Sequence, residues 1–135
     1  MINSAEEFLH LRSSEKQEDC NRAAHDEAPI EVWHDVINKY PDLCFWVAQN
    51  KTVPLEILEI LSKIQDPKVR GMVARKRKLS KDIMLSLAND EDASVRNGVA
   101  SNTKVSNEIL KHLSNDPVKF VRENAAGKLK DTRNQ

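Results

Sequence analysis

The chain has 135 residues, 39% hydrophobic and 31% charged, with 21 Lys+Arg against 21 Asp+Glu. That length suits one domain of ordinary size and excludes a multi-domain enzyme, and the even charge gives the whole chain no pull towards nucleic acid or an anionic membrane. The balance conceals a gradient: residues 1–40 hold nine acids and four bases, the remainder twelve acids and seventeen bases, so the two ends suit different partners.

Three glycines and few β-branched runs favour helix throughout. The opening MINSAEEFLH has no basic-then-apolar leader, and no apolar stretch reaches the roughly 18 residues of a membrane span, which predicts a cytosolic protein. Residues 1–22 read as an N-terminal helical cap. Ser4-Ala5-Glu6-Glu7 has the form of a capping box ahead of Phe8, Leu9 and Leu11, and Ser13/Ser14 mark a second helix start before Glu15–Ala24. Cys20 and Cys44, in a chain without an export signal, are expected to be buried free thiols.

From residue 23 the pattern recurs every 26 residues. Val47-Ala48, Val73-Ala74, Val99-Ala100 and Ala125-Ala126 keep that spacing, as do Ile57-Leu58, Ile83-Met84 and Ile109-Leu110, then Leu61, Leu87 and Leu113, and Val69-Arg70, Val95-Arg96 and Val121-Arg122. A degenerate earlier unit fits the same frame through Ala23-Ala24, Pro29, Val32-Trp33, Val36 and Leu43. The units are 23–46, 47–72, 73–98 and 99–124, with a partial unit 125–135. Apolar positions at i, i+1 and i+4 place one face of a helix in each unit. That helix is expected to be the longer, with Pro54, Ser80 or Ser106 at its first position and Glu56, Asp82 or Glu108 two residues on, as Pro29 and Glu31 do earlier. A shorter helix of about two turns runs through Val69/Val73, Val95/Val99 and Val121/Ala125, after the turn clusters Gln65-Asp66-Pro67, Asn89–Asp92 and Asn115-Asp116-Pro117. A helical hairpin of this kind cannot bury its own apolar face, and stacked neighbours supply the missing core. The expected architecture is all-α: a right-handed α-solenoid of about four 26-residue hairpins over 23–135, capped by 1–22. The polar tail Lys128–Gln135 is expected to fray.

Chemistry-bearing motifs are scarce. His10, His25, His34 and His112 share no metal-ligand spacing with either cysteine, and glycine-rich phosphate loops, HExxH, CxxC and GxSxG are absent, which argues against an enzyme, a metal or a cofactor. The column Arg70, Arg96, Arg122 reads first as a set of staples bonding turn carbonyls or the acids Asp66, Asp90 and Asp116 that precede each arginine, and second as a cationic ladder for phosphate or an acidic partner. Arg75, Lys76, Arg77 and Lys78 replace the Gln49–Thr52 and Ser101–Lys104 of neighbouring units. Four adjacent cations there are either a solvated loop or a contact for phosphates or carboxylates. Trp33, Tyr40, Phe45 and Trp46 crowd the degenerate unit, as core filling or as partner anchors. Glu27, Glu31 and Asp35 make the segment around Trp33 acidic.

The segment Asp116-Pro-Val-Lys-Phe-Val-Arg-Glu-Asn-Ala-Ala126 and its counterparts resemble the Asp-Pro…Val-Arg…Ala-Ala signature of HEAT-like repeats, and the shorter period with the turn Asn50–Leu58 is similar to the bacterial leucine-rich repeat variant. The likeness covers roughly residues 23–130. It implies a scaffold without chemistry of its own. The iron–sulfur segment of the variant family has no counterpart here, so no cofactor is implied. Short chains of this type are in some cases immunity proteins that neutralise a cognate toxin, including contact-dependent growth inhibition systems. The resemblance therefore implies a bacterial, monomeric protein-binding module, with Glu27, Glu31, Trp33 and Asp35 facing a basic nuclease toxin. The alternative is nucleic-acid binding through Arg75–Lys78, as in HEAT-like DNA glycosylases.

Overall fold

A computed structural model describes the backbone of residues 1–133 and the side chains of residues 1–130. Among the described residues there are ten α-helices, one short 3-10 turn and no strand. The chain divides into two compact units between Leu61 and Ser62.

The first unit holds α1 (Ala5–Ser13), α2 (Gln17–His25), α3 (Ile30–Lys39), the 3-10 turn Pro41–Leu43, α4 (Cys44–Gln49) and α5 (Leu55–Leu61). Ser4 caps α1 by accepting from the Glu7 N–H at 3.0 Å, while Glu7 reaches back to the N–H of Asn3 rather than that of Ser4. The second helix begins at Gln17, later than expected, because Ser14 Oγ accepts from the Lys16 N–H and donates to Asp19, which holds Ser14–Lys16 extended. Ile2, Phe8, Leu11, Trp33 and Val36 are closed from solvent, and α1 packs on both α2 and α3. Trp33 meets Phe8 edge to face at 5.4 Å.

The second unit holds α6 (Pro67–Ala74), α7 (Lys81–Ala88), α8 (Ala93–Ala100), α9 (Asn107–Leu113) and α10 (Lys119–Arg133). Here α6 lies on α8 and α8 on α10, while α7 lies on α9. The helices that share a position in the 26-residue frame are therefore neighbours. Val73, Val95, Val99, Val121, Leu87 and Leu113 are buried at these contacts, each contributing about 1.5–3 kcal/mol. Gly98 allows α8 to approach α6, since a Cβ there would stand 3.1 Å from Ala74 Cβ.

Three expectations about the helices need correction. Ser80 and Ser106 stand just before the helix, not at its first position: their hydroxyls accept from the N–H groups of Ile83 and Ile109 at 3.2 Å, a bond that needs the extended backbone both adopt. Pro29 likewise precedes α3. The helices expected to be longer are not: α5, α7 and α9 span 7, 8 and 7 residues against 8 in α6 and α8. Asn89 Nδ2 and Ser114 Oγ donate to the carbonyls of Leu85 and Lys111, taking last-turn acceptors that a longer helix would use. Finally, Lys128–Arg133 continue α10 instead of fraying, whereas Asn134 and Gln135 lie outside the described residues.

Candidate functional site

The most regular polar feature is consumed inside the second unit. Arg70 Nε and Nη2 donate to Asp90 Oδ2 and Oδ1 at 2.7 and 3.1 Å, and its Nη1 donates to the carbonyls of Ile64 and Gln65. Arg96 repeats the arrangement with Asp116 at 2.7 and 3.2 Å and the Asp90 carbonyl at 2.7 Å. Arg122 keeps only the carbonyl half, to Asp116 and Pro117. The forks of Arg70 and Arg96 therefore join the carbonyls of their own turn to a carboxylate of the following turn. The acids expected to be partners were the preceding ones. Of these, Asp66 is occupied at a helix start, accepting from the Lys68 N–H, whereas Asp90 and Asp116 take the arginine of the preceding turn, and Asp116 accepts from the Val118 N–H as well.

These pairs are largely buried, with Arg70 and Asp90 side chains both 9% exposed. The hydrogen bond to Asp90 holds the Arg70 guanidinium above its ordinary range, and that to Asp116 does the same for Arg96, so neither loses its charge. For Asp116, burial pushes the carboxyl up, but the bonds from Arg96 and the Val118 N–H outweigh it and hold the group below the usual aspartate range. A ladder of free cations for phosphate does not exist along this column.

A second buried polar element, not anticipated as such, is made by asparagines. Asn50 is closed from solvent and donates Nδ2 to the carbonyls of Ala23 and Asp26 while accepting from the Thr52 N–H. Asn102, 2% exposed, does the same with Ala74, Lys76 and the Lys104 N–H. Position 76 of the same column carries lysine. The sequence signal was present: Asn50 and Asn102 stand two periods apart, and an amide has the paired donors and acceptor that tie two loops together.

The remaining candidates are surface charge. Arg75, Arg77 and Lys78 are exposed on the turn between α6 and α7, and Lys76 is half-buried, its carbonyl taken by Asn102. In the first unit Glu31 and Asp35 lie one helical turn apart on the exposed side of α3, with Glu27 exposed just before it. Trp33 cannot join them as an anchor. It is fully buried on the opposite side of α3, and its ring is already occupied by Phe8. Of the other aromatics, Trp46 is half-buried beneath the Arg12 guanidinium, 3.6 Å from its centroid, and Tyr40 donates to Glu6. Cys44 is buried as expected, but Cys20 is only half-buried on α2, with Sγ 3.6 Å from the Ser14 carbonyl.

Among the described residues, no three His, Cys, Asp or Glu side chains converge as a metal site, and no helix is long and apolar enough to cross a membrane. His112 Nε2 stands 3.1 Å from Asn89 Oδ1, and His25 Nδ1 stands 2.9 Å from the Asn21 carbonyl, each a surface contact. The first unit offers an acidic patch, and the second a basic turn and buried arginine staples. Comparison with models of protein families, with curated proteins and with solved structures finds no match to this chain.

Proposed function

We propose that this chain is a non-enzymatic protein-binding module, built as a right-handed α-solenoid of about four HEAT-like or leucine-rich-variant hairpins behind a helical cap, and that its role is that of a bacterial immunity protein acting in the cytosol on a cognate toxin. The observation that carries the reading is the fate of the recurring arginines. Arg70 and Arg96 are spent on Asp90 and Asp116 inside the fold, which leaves other residues to carry the surface charge, among them the acidic Glu27, Glu31 and Asp35 and, separately, the basic Arg75, Arg77 and Lys78. A charge patch of either sign steers a protein partner and needs no chemistry. Glu31 and Asp35 stand at i, i+4, a like-charge pair that costs a helix a few tenths of a kcal/mol and is relieved when a cation meets both. A basic nuclease-type toxin supplies such cations.

Nucleic-acid binding is the weaker reading, because the arginines that would extend a phosphate track beyond the Arg75–Lys78 turn are paired within the protein. The test is co-expression with the product of the adjacent gene. A stoichiometric complex whose association slows about tenfold on Glu31→Lys/Asp35→Lys supports the proposal. Absence of a complex, with tight and steeply salt-dependent duplex DNA binding lost in Arg77→Gln/Lys78→Gln, refutes it.

A further inference from the structure

The turn between α6 and α7 and the turn between α8 and α9 are fastened to each other by one side chain. Asn102 Nδ2 donates to the carbonyls of Ala74 and Lys76, both at 2.8 Å, and its Oδ1 accepts from the Lys104 N–H at 2.8 Å. Being almost wholly buried, this amide fixes both backbones at once, with the Lys76 N–H bonded in addition to the Val73 carbonyl. Four cations project from the fastened pair: Arg75, Arg77, Lys78 and Lys104 are all exposed, and among the described residues none has an ion pair. Arg75 is further guided by its stem, whose Cγ lies 3.8 Å from where a Cβ on Gly98 would stand. Lys81, also exposed, adds to the sign, and Asp82 is the one carboxylate in the stretch 75–82.

A cluster of like charges on rigid backbone repels itself, and fixing the backbone removes the ordering cost that a mobile basic loop meets on binding. We propose that these two fastened turns form a docking site for a carboxylate-rich segment of a protein, in which Arg75, Arg77, Lys78 and Lys104 take the carboxylates and Asn102 is a positioning residue that never touches the partner. This deepens the protein-binding reading above and rests on it. An acidic peptide fits better than a nucleic acid for two reasons. The patch is a point of a few cations, whereas duplex binding at physiological salt draws on about six to ten phosphate contacts. No aromatic side chain lies among residues 75–78 or 101–104 to stack a base.

The experiment uses the full chain and fluorescein-labelled octaglutamate, read by anisotropy at low salt, with a mixed-sequence DNA duplex run in parallel. Each exposed cation contributes about two- to threefold, so Arg75→Gln/Arg77→Gln/Lys78→Gln weakens peptide binding on the order of tenfold. Lys68→Gln/Lys111→Gln/Lys119→Gln, an equal change of net charge at exposed positions elsewhere in the unit, weakens it less than about twofold. Asn102→Ala, checked by circular dichroism to remain folded, weakens it severalfold with every cation still present. Equal effects of the two triple variants overturn the proposal, as does a wild-type chain that ignores octaglutamate, an outcome that leaves the acidic face of α3 available to the protein-binding reading. Duplex binding at least tenfold tighter than peptide binding, abolished in the first triple variant, overturns both.

Discussion

Removing one arm of a buried staple tests whether the arginine column holds the second unit together. Arg96 makes two bonds to Asp116 and one to the Asp90 carbonyl, and the two side chains of the pair are 13% and 4% exposed. Arg96→Met keeps the aliphatic stem and deletes all three bonds. Hydrogen bonds to charged groups are each worth about 1.5–3 kcal/mol, but Asp116 retains the Val118 N–H, so the expected loss is about 3–4 kcal/mol rather than the sum. Asp116→Asn keeps the shape and one acceptor, and costs about 2–3 kcal/mol. The double variant falls short of the sum by about 1–3 kcal/mol, the coupling of the pair. The folded pKa of Asp116 lies below its unfolded value, so its contribution is full above about pH 4 and is lost as pH falls through the folded value. Urea denaturation of the four proteins, followed by circular dichroism at neutral and acid pH, measures this. A neutral-pH coupling under about 0.5 kcal/mol, or one that vanishes in about 1 M salt, would mean an ordinary exposed ion pair and refute the reasoning.

Other outcomes follow from the same packing. Gly127→Ala and Gly71→Ala, where an added Cβ meets nothing within 4 Å, raise stability by about 0.5–1 kcal/mol in thermal melts, whereas Gly98→Ala, 3.1 Å from Ala74 Cβ and 3.4 Å from the Gly71 carbonyl, loses that gain and lowers it. Asn50→Ala strips the donor from the carbonyls of Ala23 and Asp26 and costs about 1–3 kcal/mol; a neutral result in denaturant melts defeats the clamp. In Trp46→Phe, Trp33 is the remaining tryptophan, and its emission is blue-shifted and protected from iodide; ready quenching contradicts its burial.

The helices were legible because their signals are local and repeated. Ile83, Met84 and Leu87 announce one face of α7 by spacing alone, and Asp92 starts α8 by its own side chain, accepting from the N–H groups of Ser94 and Val95. Pairing across turns was not legible. Arg70 lies four residues after Asp66 and twenty before Asp90, and nothing in one dimension says that the guanidinium reaches forward. It does so because its own turn offers carbonyls from the near side, leaving the fork to face the next turn. Trp33 failed as a surface anchor for a related reason: its flanking acids suggest solvent, but Val32, Trp33 and Val36 share the buried side of α3 and Glu31 and Asp35 the other.

The repeating frame then separates two kinds of residue by how they behave along it. The recurring Arg70, Arg96 and Arg122, and Asn50 and Asn102, are bonded to backbone or to a buried carboxylate, whereas the recurring acids Glu56, Asp82 and Glu108 stay exposed in the first turns of their helices. Selection for folding alone accounts for the bonded columns, since loss of a buried staple is expensive. Where the frame is broken, folding gains nothing. Lysine at position 76 gives up the amide carried by Asn50 and Asn102, and Arg75, Arg77 and Lys78 concentrate charge that lowers stability by self-repulsion. The backbone of that departure is nevertheless fastened by its neighbour Asn102, which bonds the carbonyls of Ala74 and Lys76, so the local loss of the amide at position 76 is made up from the next turn.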